Sequence, residues 1–174
     1  RAEGAITITP QLLKNTVFTN WVNEDGLIEK LQRKFQEQYL ALEITKQLSK
    51  EEILLRYMNT INLGQNTLGV QAASRRYFNK DVSELTLSEC AVIAAITQNP
   101  SRLNPISNPD KNQERRNKVL RNMLTAGYIT QEEHDDAVND DVYDRIQIVN
   151  TETEEEAITS YFVDQVVNDV MSDL

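Results

Sequence analysis

Residues 30–37 read Lys-Leu-Gln-Arg-Lys-Phe-Gln-Glu, and this octet is the most informative stretch of the chain. On a helix, Lys30, Arg33, Lys34 and Glu37 are spaced i, i+3, i+4 and i+7, so their side chains share one face. Three cations beside one carboxylate can bind a polyanion and place that carboxylate against it. The alternative is a solvated stripe of surface salt bridges, and the octet taken alone favours that alternative.

The segments on both sides of the octet predict helices. Apolar residues recur at helical spacing over residues 27–48, which predicts one long helix with a broad apolar face that includes Phe35. Ser-x-x-Glu or Thr-x-x-Glu capping boxes at Ser49, Thr86 and Thr130 each predict the start of a further helix. A weak alternation over residues 141–149 predicts one short strand, and an amphipathic helix follows over residues 158–174. The fold class is therefore mainly α.

The charge of the chain is divided unevenly between its two parts. The net charge is −9 over 174 residues, but residues 1–130 carry 17 basic and 13 acidic side chains, while residues 131–174 carry 1 basic and 14 acidic. A weakly basic body fits an anionic ligand or an anionic membrane surface, whereas the acidic pI of about 4.7 argues against nucleic-acid binding. The length suits one domain, or one domain with an appendage.

Most common catalytic chemistries lack support in this sequence. Cys90 lies in an apolar helical run and is expected to be a buried thiol, and His134 lies among acidic residues and is expected at the surface. No metal-binding pattern and no glycine-rich phosphate loop occurs. Carboxylates and cations remain as catalytic groups, which suits glycosyl or phosphoryl chemistry with an anionic leaving group.

Three further segments carry specific expectations. Thr9 and Pro10 predict a helix start whose N–H groups, with Lys14 one turn on, could hold phosphate oxygens; an ordinary loop-to-helix junction is the alternative. Tyr57 and Asn59 lie in an apolar setting, where a buried asparagine would tie two helices together. In the helix that begins at Asn108-Pro109, four cations are expected to face outward: Arg115, Arg116, Lys118 and Arg121.

Four segments in order then resemble motifs two to five of glycosyltransferase family 51, the peptidoglycan glycosyltransferase domain of class A penicillin-binding proteins. The segments are residues 4–15 (Gly-Ala-Ile-Thr-Ile-Thr-Pro-Gln-Leu-Leu-Lys-Asn), 33–37 (Arg-Lys-Phe-Gln-Glu), 53–64 (Ile-Leu-Leu-Arg-Tyr-Met-Asn-Thr-Ile-Asn-Leu-Gly) and 115–123 (Arg-Arg-Asn-Lys-Val-Leu-Arg-Asn-Met). Ile6 and Pro10 depart from the second motif, where the family has Ser and Gln. The first motif, Glu-Asp-x-x-Phe, carries the glutamate assigned as general base; it does not occur in the chain and is expected upstream of Arg1.

The resemblance implies a lysozyme-like helical glycosyltransferase domain that polymerises lipid II and releases undecaprenyl pyrophosphate. Residues 1–149 would form this domain, without its N-terminal motif, and residues 150–174 an acidic linker and amphipathic segment leading toward a transpeptidase domain. The implied partners are lipid II, the growing glycan strand and the membrane surface, with no nucleic acid. The implied location is the extracytoplasmic face of a bacterial cell membrane.

The resemblance also implies roles for individual residues. Glu37 is the catalytic carboxylate, which would stabilise developing oxocarbenium charge or hold a divalent metal, Mg²⁺ or Mn²⁺; no other cofactor is expected. The substrate-binding residues are Thr7, Thr9, Gln11, Lys14, Asn15, Arg33, Lys34, Tyr57 and Asn59. Two alternatives stay open, a catalytically incomplete module that binds lipid pyrophosphate and a helical interaction module with a solvated charged stripe.

Overall fold

The computed structural model describes residues 7–16 and 27–147, with side chains in the second range described from residue 34 onward. Over these residues the chain forms seven α-helices and two 3₁₀ helices. The α-helices are α1 (Ile8–Thr16), α2 (Leu27–Gln47), α3 (Lys50–Thr60), α4 (Val70–Phe78), α5 (Leu87–Ile96), α6 (Pro109–Thr125) and α7 (Gln131–Asn139). The 3₁₀ helices are Val82–Glu84 and Val142–Arg145. The predictions for residues 150–156 and 158–174 lie outside the described residues.

The helix starts follow the predicted capping chemistry. The side chains of Ser49, Thr86 and Thr130 each accept a hydrogen bond from the backbone N–H three residues later. The glutamate at that later position in turn accepts a hydrogen bond from the backbone N–H of the capping residue. Pro109 lies in the first turn of α6, where its missing N–H costs no intrahelical bond. These three capping boxes and the long helix α2 are confirmed.

Two apolar clusters hold the described helices together around α5. The first joins α4 and α5 through fully buried side chains such as Tyr77, Val92 and Ile96, and the second joins α5, α6 and α7 through Ala91, Leu120 and Ala137. On the other side of the molecule, α1 packs against both α2 and α3. This packing places α1, α2 and α3 along one wall of a cleft and α6 along the opposite wall.

The predicted strand over residues 141–149 is wrong. Val142–Arg145 is a 3₁₀ helix, closed by a bond from the Ile146 N–H to the Tyr143 carbonyl. Alternating apolar residues fit this turn because Val142 is buried in the core and Tyr143 is half-buried against it, while Asp141 and Asp144 are exposed. The only β pairing among the described residues is an isolated bridge between Asn62 and Leu68.

The prediction that Arg116 faces outward is also wrong. Its side chain is fully buried, and its guanidinium donates to the backbone carbonyls of Ala137 and Val138 at the end of α7. The same guanidinium lies 5.6 Å from the centroid of the Tyr143 ring. A helix C-terminus presents unpaired carbonyls and a partial negative charge, which suits a buried cation. Arg116 therefore fastens α6 to α7.

Other predictions of burial are contradicted by the structure. Cys90 is exposed on α5, and Asn59 is exposed near the end of α3. Part of the apolar face predicted for α2 is open, since the side chains of Phe35, Tyr39 and Leu42 are 75%, 64% and 62% exposed. Helical spacing fixes which residues share a face, but only packing decides whether another element covers it.

A smaller difference concerns the start of α1. Helix α1 begins at Ile8, so Thr9 is in its first turn instead of capping it as expected. None of the helices in residues 7–16 and 27–147 combines the length and the apolar character that crossing a bilayer requires.

Candidate active site

A cavity of about 1180 Å³ lies between the two walls of the cleft. Helices α1, α2 and α3 form one wall, α6 forms the other, and the segment at residues 97–103 also lines the cavity. This volume is slightly larger than the range of roughly 300–1,000 Å³ that suits one drug-sized ligand. The cavity can therefore hold an extended ligand or two ligand groups side by side.

Glu37 is the buried carboxylate of this cavity. The residue is only 5% exposed, and its Oε2 lies 2.8 Å from the Lys34 Nζ one helical turn earlier. Lys34 is itself 54% exposed along its side chain, so it links the buried carboxylate to the open part of the cavity. Positions i and i+3 on α2 bring the two groups together, as the octet predicted.

Helix α1 supplies a polar edge beside Glu37. Gln11, Lys14 and Asn15 line the cavity, and the Tyr57 hydroxyl of α3 donates to the Gln11 Oε1 at 3.3 Å. Burial raises the pKa of the Tyr57 phenol, so it remains a protonated hydrogen-bond donor at neutral pH. This bond joins the second and fourth motif segments across the wall of the cavity.

The structure does not bring every predicted site residue into the cavity. Thr7 is exposed, Thr9 is half-buried and Asn59 is exposed, and none of the three lines the cavity. Arg33 lies in α2, but its side chain is outside the described part of the chain, as is that of Lys30. The predicted residues that do line the cavity are Gln11, Lys14, Asn15, Lys34, Glu37 and Tyr57.

The opposite wall was missed by the sequence analysis. Lys111, Glu114, Arg115 and Lys118 of α6 line the cavity, with Arg102 from the neighbouring loop. Their spacing on α6 is i, i+3, i+4 and i+7, the same pattern that drew attention to residues 30–37. The α6 cations were predicted to face outward, and the repeated spacing was the signal that could have corrected this prediction.

The lining of the cavity carries a net positive charge, whereas the whole chain carries a net negative charge. Its lining contains six basic side chains and two carboxylates, in a protein whose net charge is −9. The basic members are Lys14, Lys34, Arg102, Lys111, Arg115 and Lys118, and the carboxylates are Glu37 and Glu114. A cleft lined by one sign of charge attracts and concentrates ligands of the other sign. The geometry is suited to a polyanionic ligand.

The described side chains form no ready-made cluster of ligands for a divalent metal. Among them, no three His, Cys, Asp or Glu residues gather closely enough to hold an ion. Glu37 also has the Lys34 ammonium 2.8 Å from one of its oxygens. The expectation of Mg²⁺ or Mn²⁺ remains a prediction, and no step of the reaction below passes through a metal.

Comparison with known proteins agrees with the motifs and the geometry. The transglycosylase family model matches residues 1–124. The chain therefore belongs to the transglycosylase family, glycosyltransferase family 51, as its motifs predicted.

Two of the similar proteins share the name penicillin-binding protein 1A. The chain is 47% identical over 145 residues to penicillin-binding protein 1A of Clostridium botulinum, covering 80% of this chain and 17% of that protein. It is 40% identical over 177 residues to penicillin-binding protein 1A of Clostridium acetobutylicum, covering 99% of this chain and 22% of that protein. The chain thus spans only about a fifth of the length of these relatives.

A solved structure agrees with the fold. The crystal structure of penicillin-binding protein 1A from Haemophilus influenzae aligns with a TM-score of 0.52 and 33% sequence identity, covering 80% of this chain and 17% of that one. The predicted mainly α, lysozyme-like glycosyltransferase fold is confirmed.

Proposed function

We propose that this chain is the peptidoglycan glycosyltransferase part of a bifunctional penicillin-binding protein, and that its cavity binds lipid II and the growing glycan strand. The observation that carries the proposal is the buried Glu37 carboxylate, paired with Lys34 in a cavity with an excess of cations. The family membership and the names of the relatives support the same activity.

In the proposed reaction, the 4-hydroxyl of an incoming lipid II attacks the anomeric carbon of the growing strand. A C–O bond forms there, the bond to the pyrophosphate oxygen breaks with inversion, and undecaprenyl pyrophosphate leaves. The hydroxyl proton passes to a general base, which we assign to the glutamate of the first motif and expect in the longer protein. The step therefore needs positive charge where the pyrophosphate departs.

The described residues can meet that need. Lys14 and Lys34 lie on adjacent helices of one wall and are placed to neutralise the departing pyrophosphate, with Arg33 on the same predicted face of α2. Gln11, held by Tyr57, adds a polar contact, and Thr7, Thr9 and Asn59 stay predicted substrate contacts. Glu37 is placed as a fixed negative charge that stabilises the developing oxocarbenium ion.

The proposal extends to the cellular setting. A lipid-linked substrate requires the cavity to lie at a membrane surface, and we place it on the extracytoplasmic face, where the glycan is assembled. We assign residues 1–149 to the glycosyltransferase domain and residues 150–174 to a linker and amphipathic segment before a transpeptidase domain. The transpeptidase domain is supported by the penicillin-binding names of the much longer relatives.

The test of this function is Glu37→Gln in the full-length protein, measured as glycan polymerisation from lipid II. We expect loss of polymer with the same unfolding transition, because the amide keeps the shape of the side chain but not its charge. Glu43→Gln is the matched control, since Glu43 lies on the same helix and forms the same kind of i, i+3 pair, 2.8 Å from Lys46, outside the cavity. A near-normal polymer yield from Glu37→Gln would refute the assigned role.

The second candidate is a module that binds lipid pyrophosphate without turning it over. The cations of the cavity favour this candidate as much as the enzyme, because binding requires them in both cases. Titration of the 174-residue chain with lipid II or with the phosphoglycolipid inhibitor moenomycin measures binding apart from turnover. Tight binding together with absent polymerisation by the full-length protein would favour the binding module.

A further inference from the structure

Residues 99–103, between α5 and α6, form a turn that is part of the cavity lining. The residues of this cavity-lining turn that face the cavity are Asn99, Pro100, Arg102 and Leu103. The Leu103 N–H donates to the Asn99 carbonyl at 2.9 Å, and the Arg102 N–H donates to the Asn99 Oδ1 at 3.1 Å. These bonds fix the shape of the turn. Its place against the helices has to come from other contacts.

Asn112 of α6 joins the cavity-lining turn to the core. Its side chain is fully buried, and its Nδ2 donates to the Leu103 carbonyl at 2.7 Å and to the Val92 carbonyl of α5 at 3.3 Å. Within the described residues, no backbone N–H is bonded to the Leu103 carbonyl. A buried carbonyl without a donor costs free energy, so the Asn112 amide meets a need that the backbone leaves open. This bond fastens the turn to α5 and α6.

Tyr143 sets the direction of the Asn112 amide. Its hydroxyl donates to the Asn112 Oδ1 at 2.7 Å, and burial raises the pKa of Tyr143 to about 12, so the hydroxyl remains a donor at neutral pH. Because the amide oxygen faces this hydroxyl, the amide NH₂ group faces the two carbonyls. Tyr143 does not itself line the cavity. It therefore influences the turn only through Asn112.

The 3₁₀ helix that carries Tyr143 is held by ion pairs. Arg145 donates to both carboxylate oxygens of Asp140, at 2.8 and 2.6 Å, and to the Glu89 Oε1 at 3.1 Å. These contacts join the 3₁₀ helix to the end of α7 and to α5. Tyr143 is thus a fixed point, and a chain of three hydrogen-bonded groups runs from it to the lining of the cavity.

We propose that Asn112 and Tyr143 are positioning residues of the glycosyltransferase reaction, which hold the cavity-lining turn where it contacts the substrate. Both act through the Leu103 carbonyl, and neither lines the cavity. The turn supplies no group that makes or breaks a bond in the proposed reaction. Its displacement therefore weakens substrate binding and leaves the chemical step unchanged. The inference rests on the proposed function, because lipid II is taken as the substrate.

The first experiment measures backbone hydrogen exchange in the full-length protein without ligand. The test variants are Asn112→Ala and Tyr143→Phe, of which the second removes only the hydroxyl. The control is Ser74→Ala, because the buried Ser74 hydroxyl also donates to a backbone carbonyl, that of Lys80, at 2.7 Å, and neither residue lines the cavity. Exchange in α3 is the internal reference for global unfolding.

We expect exchange in residues 97–104, relative to α3, to become faster by about threefold to tenfold in Asn112→Ala and by about twofold to fivefold in Tyr143→Phe. These factors correspond to the net contribution of one hydrogen bond. Ser74→Ala should leave the exchange of this segment within about 1.5-fold of wild type. Equal exchange of residues 97–104 in the control and in both test variants would overturn the positioning role.

The second experiment measures KM and kcat for glycan polymerisation from lipid II by the same full-length variants. Asn112→Ala should raise KM by about threefold to tenfold and change kcat by less than about twofold, and Tyr143→Phe should act in the same direction but less strongly. A substitution that only destabilised the fold would reduce the amount of folded enzyme, and so the apparent kcat, while KM stayed constant. A lower kcat with an unchanged KM would therefore overturn the proposal.

The two experiments separate failure of this inference from failure of the proposed function. If the wild-type full-length protein forms no polymer, the proposed function fails, and the hydrogen exchange of residues 97–104 still decides whether Asn112 and Tyr143 position the turn. If the wild type forms polymer and the test variants match Ser74→Ala in both exchange and KM, the proposed function stands and the positioning role fails.

Discussion

Substitution of Arg116 by methionine tests whether the second arginine of the Arg115-Arg116 pair is structural. The wild-type guanidinium donates to two carbonyls of α7 and lies over the Tyr143 ring, while its Nε and Nη1 are buried without partners. Methionine fills a similar volume but offers no donor. The end of α7 would then keep buried carbonyls without their partner.

The size of the effect follows from opposing contributions. Two hydrogen bonds from a charged donor contribute about 1.5–3 kcal/mol each, and the contact with the aromatic ring about 1–2 kcal/mol. Removing two buried N–H groups that lack partners raises the free energy of unfolding by about 1–3 kcal/mol each. We therefore expect Arg116→Met to lower the free energy of unfolding by about 2 kcal/mol, a sizeable part of the stability of a typical domain.

Urea unfolding followed by helical circular dichroism measures this loss. With a typical slope of about 2 kcal/mol per molar urea, the midpoint of Arg116→Met should fall by about 1 M. Arg115→Met is the matched control, because its side chain lines the cavity and makes no described hydrogen bond; it removes one buried N–H that lacks a partner, so its midpoint should not fall. Equal midpoints for the two variants would refute the structural role of Arg116.

Two further predictions concern a glycine and a buried carboxylate. Gly69 has φ of +85° and ψ of 160°, and an added Cβ would lie 2.7 Å from the Asn59 carbonyl oxygen, so Gly69→Ala should cost about 2–4 kcal/mol in urea unfolding. Gly127→Ala is its control, because φ is +75° there but no atom lies within 4 Å; a cost as large as that of Gly69→Ala would contradict the close approach. Burial alone raises the pKa of Glu89, but hydrogen bonds from Lys80, the Thr86 N–H and Arg145 outweigh it and hold that pKa below its ordinary value of 4.5. Glu89 therefore stabilises the fold fully above about pH 4.5, and this contribution is lost as the pH falls through its folded pKa. Glu89→Gln should remove that part of the acid dependence of unfolding; an unchanged pH profile would show that Glu89 is not responsible.

The local structure of the chain could be predicted because it depends on residues that lie close together in the sequence. The capping boxes at Ser49, Thr86 and Thr130 need only residues three apart, so they formed as expected. The pair of Lys34 and Glu37 depends on one helical turn and was also predicted. Motif order then identified the family before any packing was known, and the family model confirmed it.

Burial was predicted less well, because it depends on which element lies against a helix face. Phe35 and Cys90 were expected inside and are exposed, since the described helices leave those faces uncovered. The alternation around Val142 fits a strand as well as it fits the observed 3₁₀ helix. No neighbouring strand is available to pair with it among the described residues. Spacing along the chain carries no information about such partners.

The sequence by itself determined the helices, their caps, the charged octet and membership of the transglycosylase family. Only the tertiary structure separated the roles of Arg115 and Arg116, two adjacent arginines that the sequence analysis had placed on one outward face. It also brought the α6 cations opposite Glu37 and left Asn59 outside the cavity. The physical reason is that helical periodicity relates residues within one turn or two, whereas the rotation of a helix about its axis is set by long-range packing against other helices.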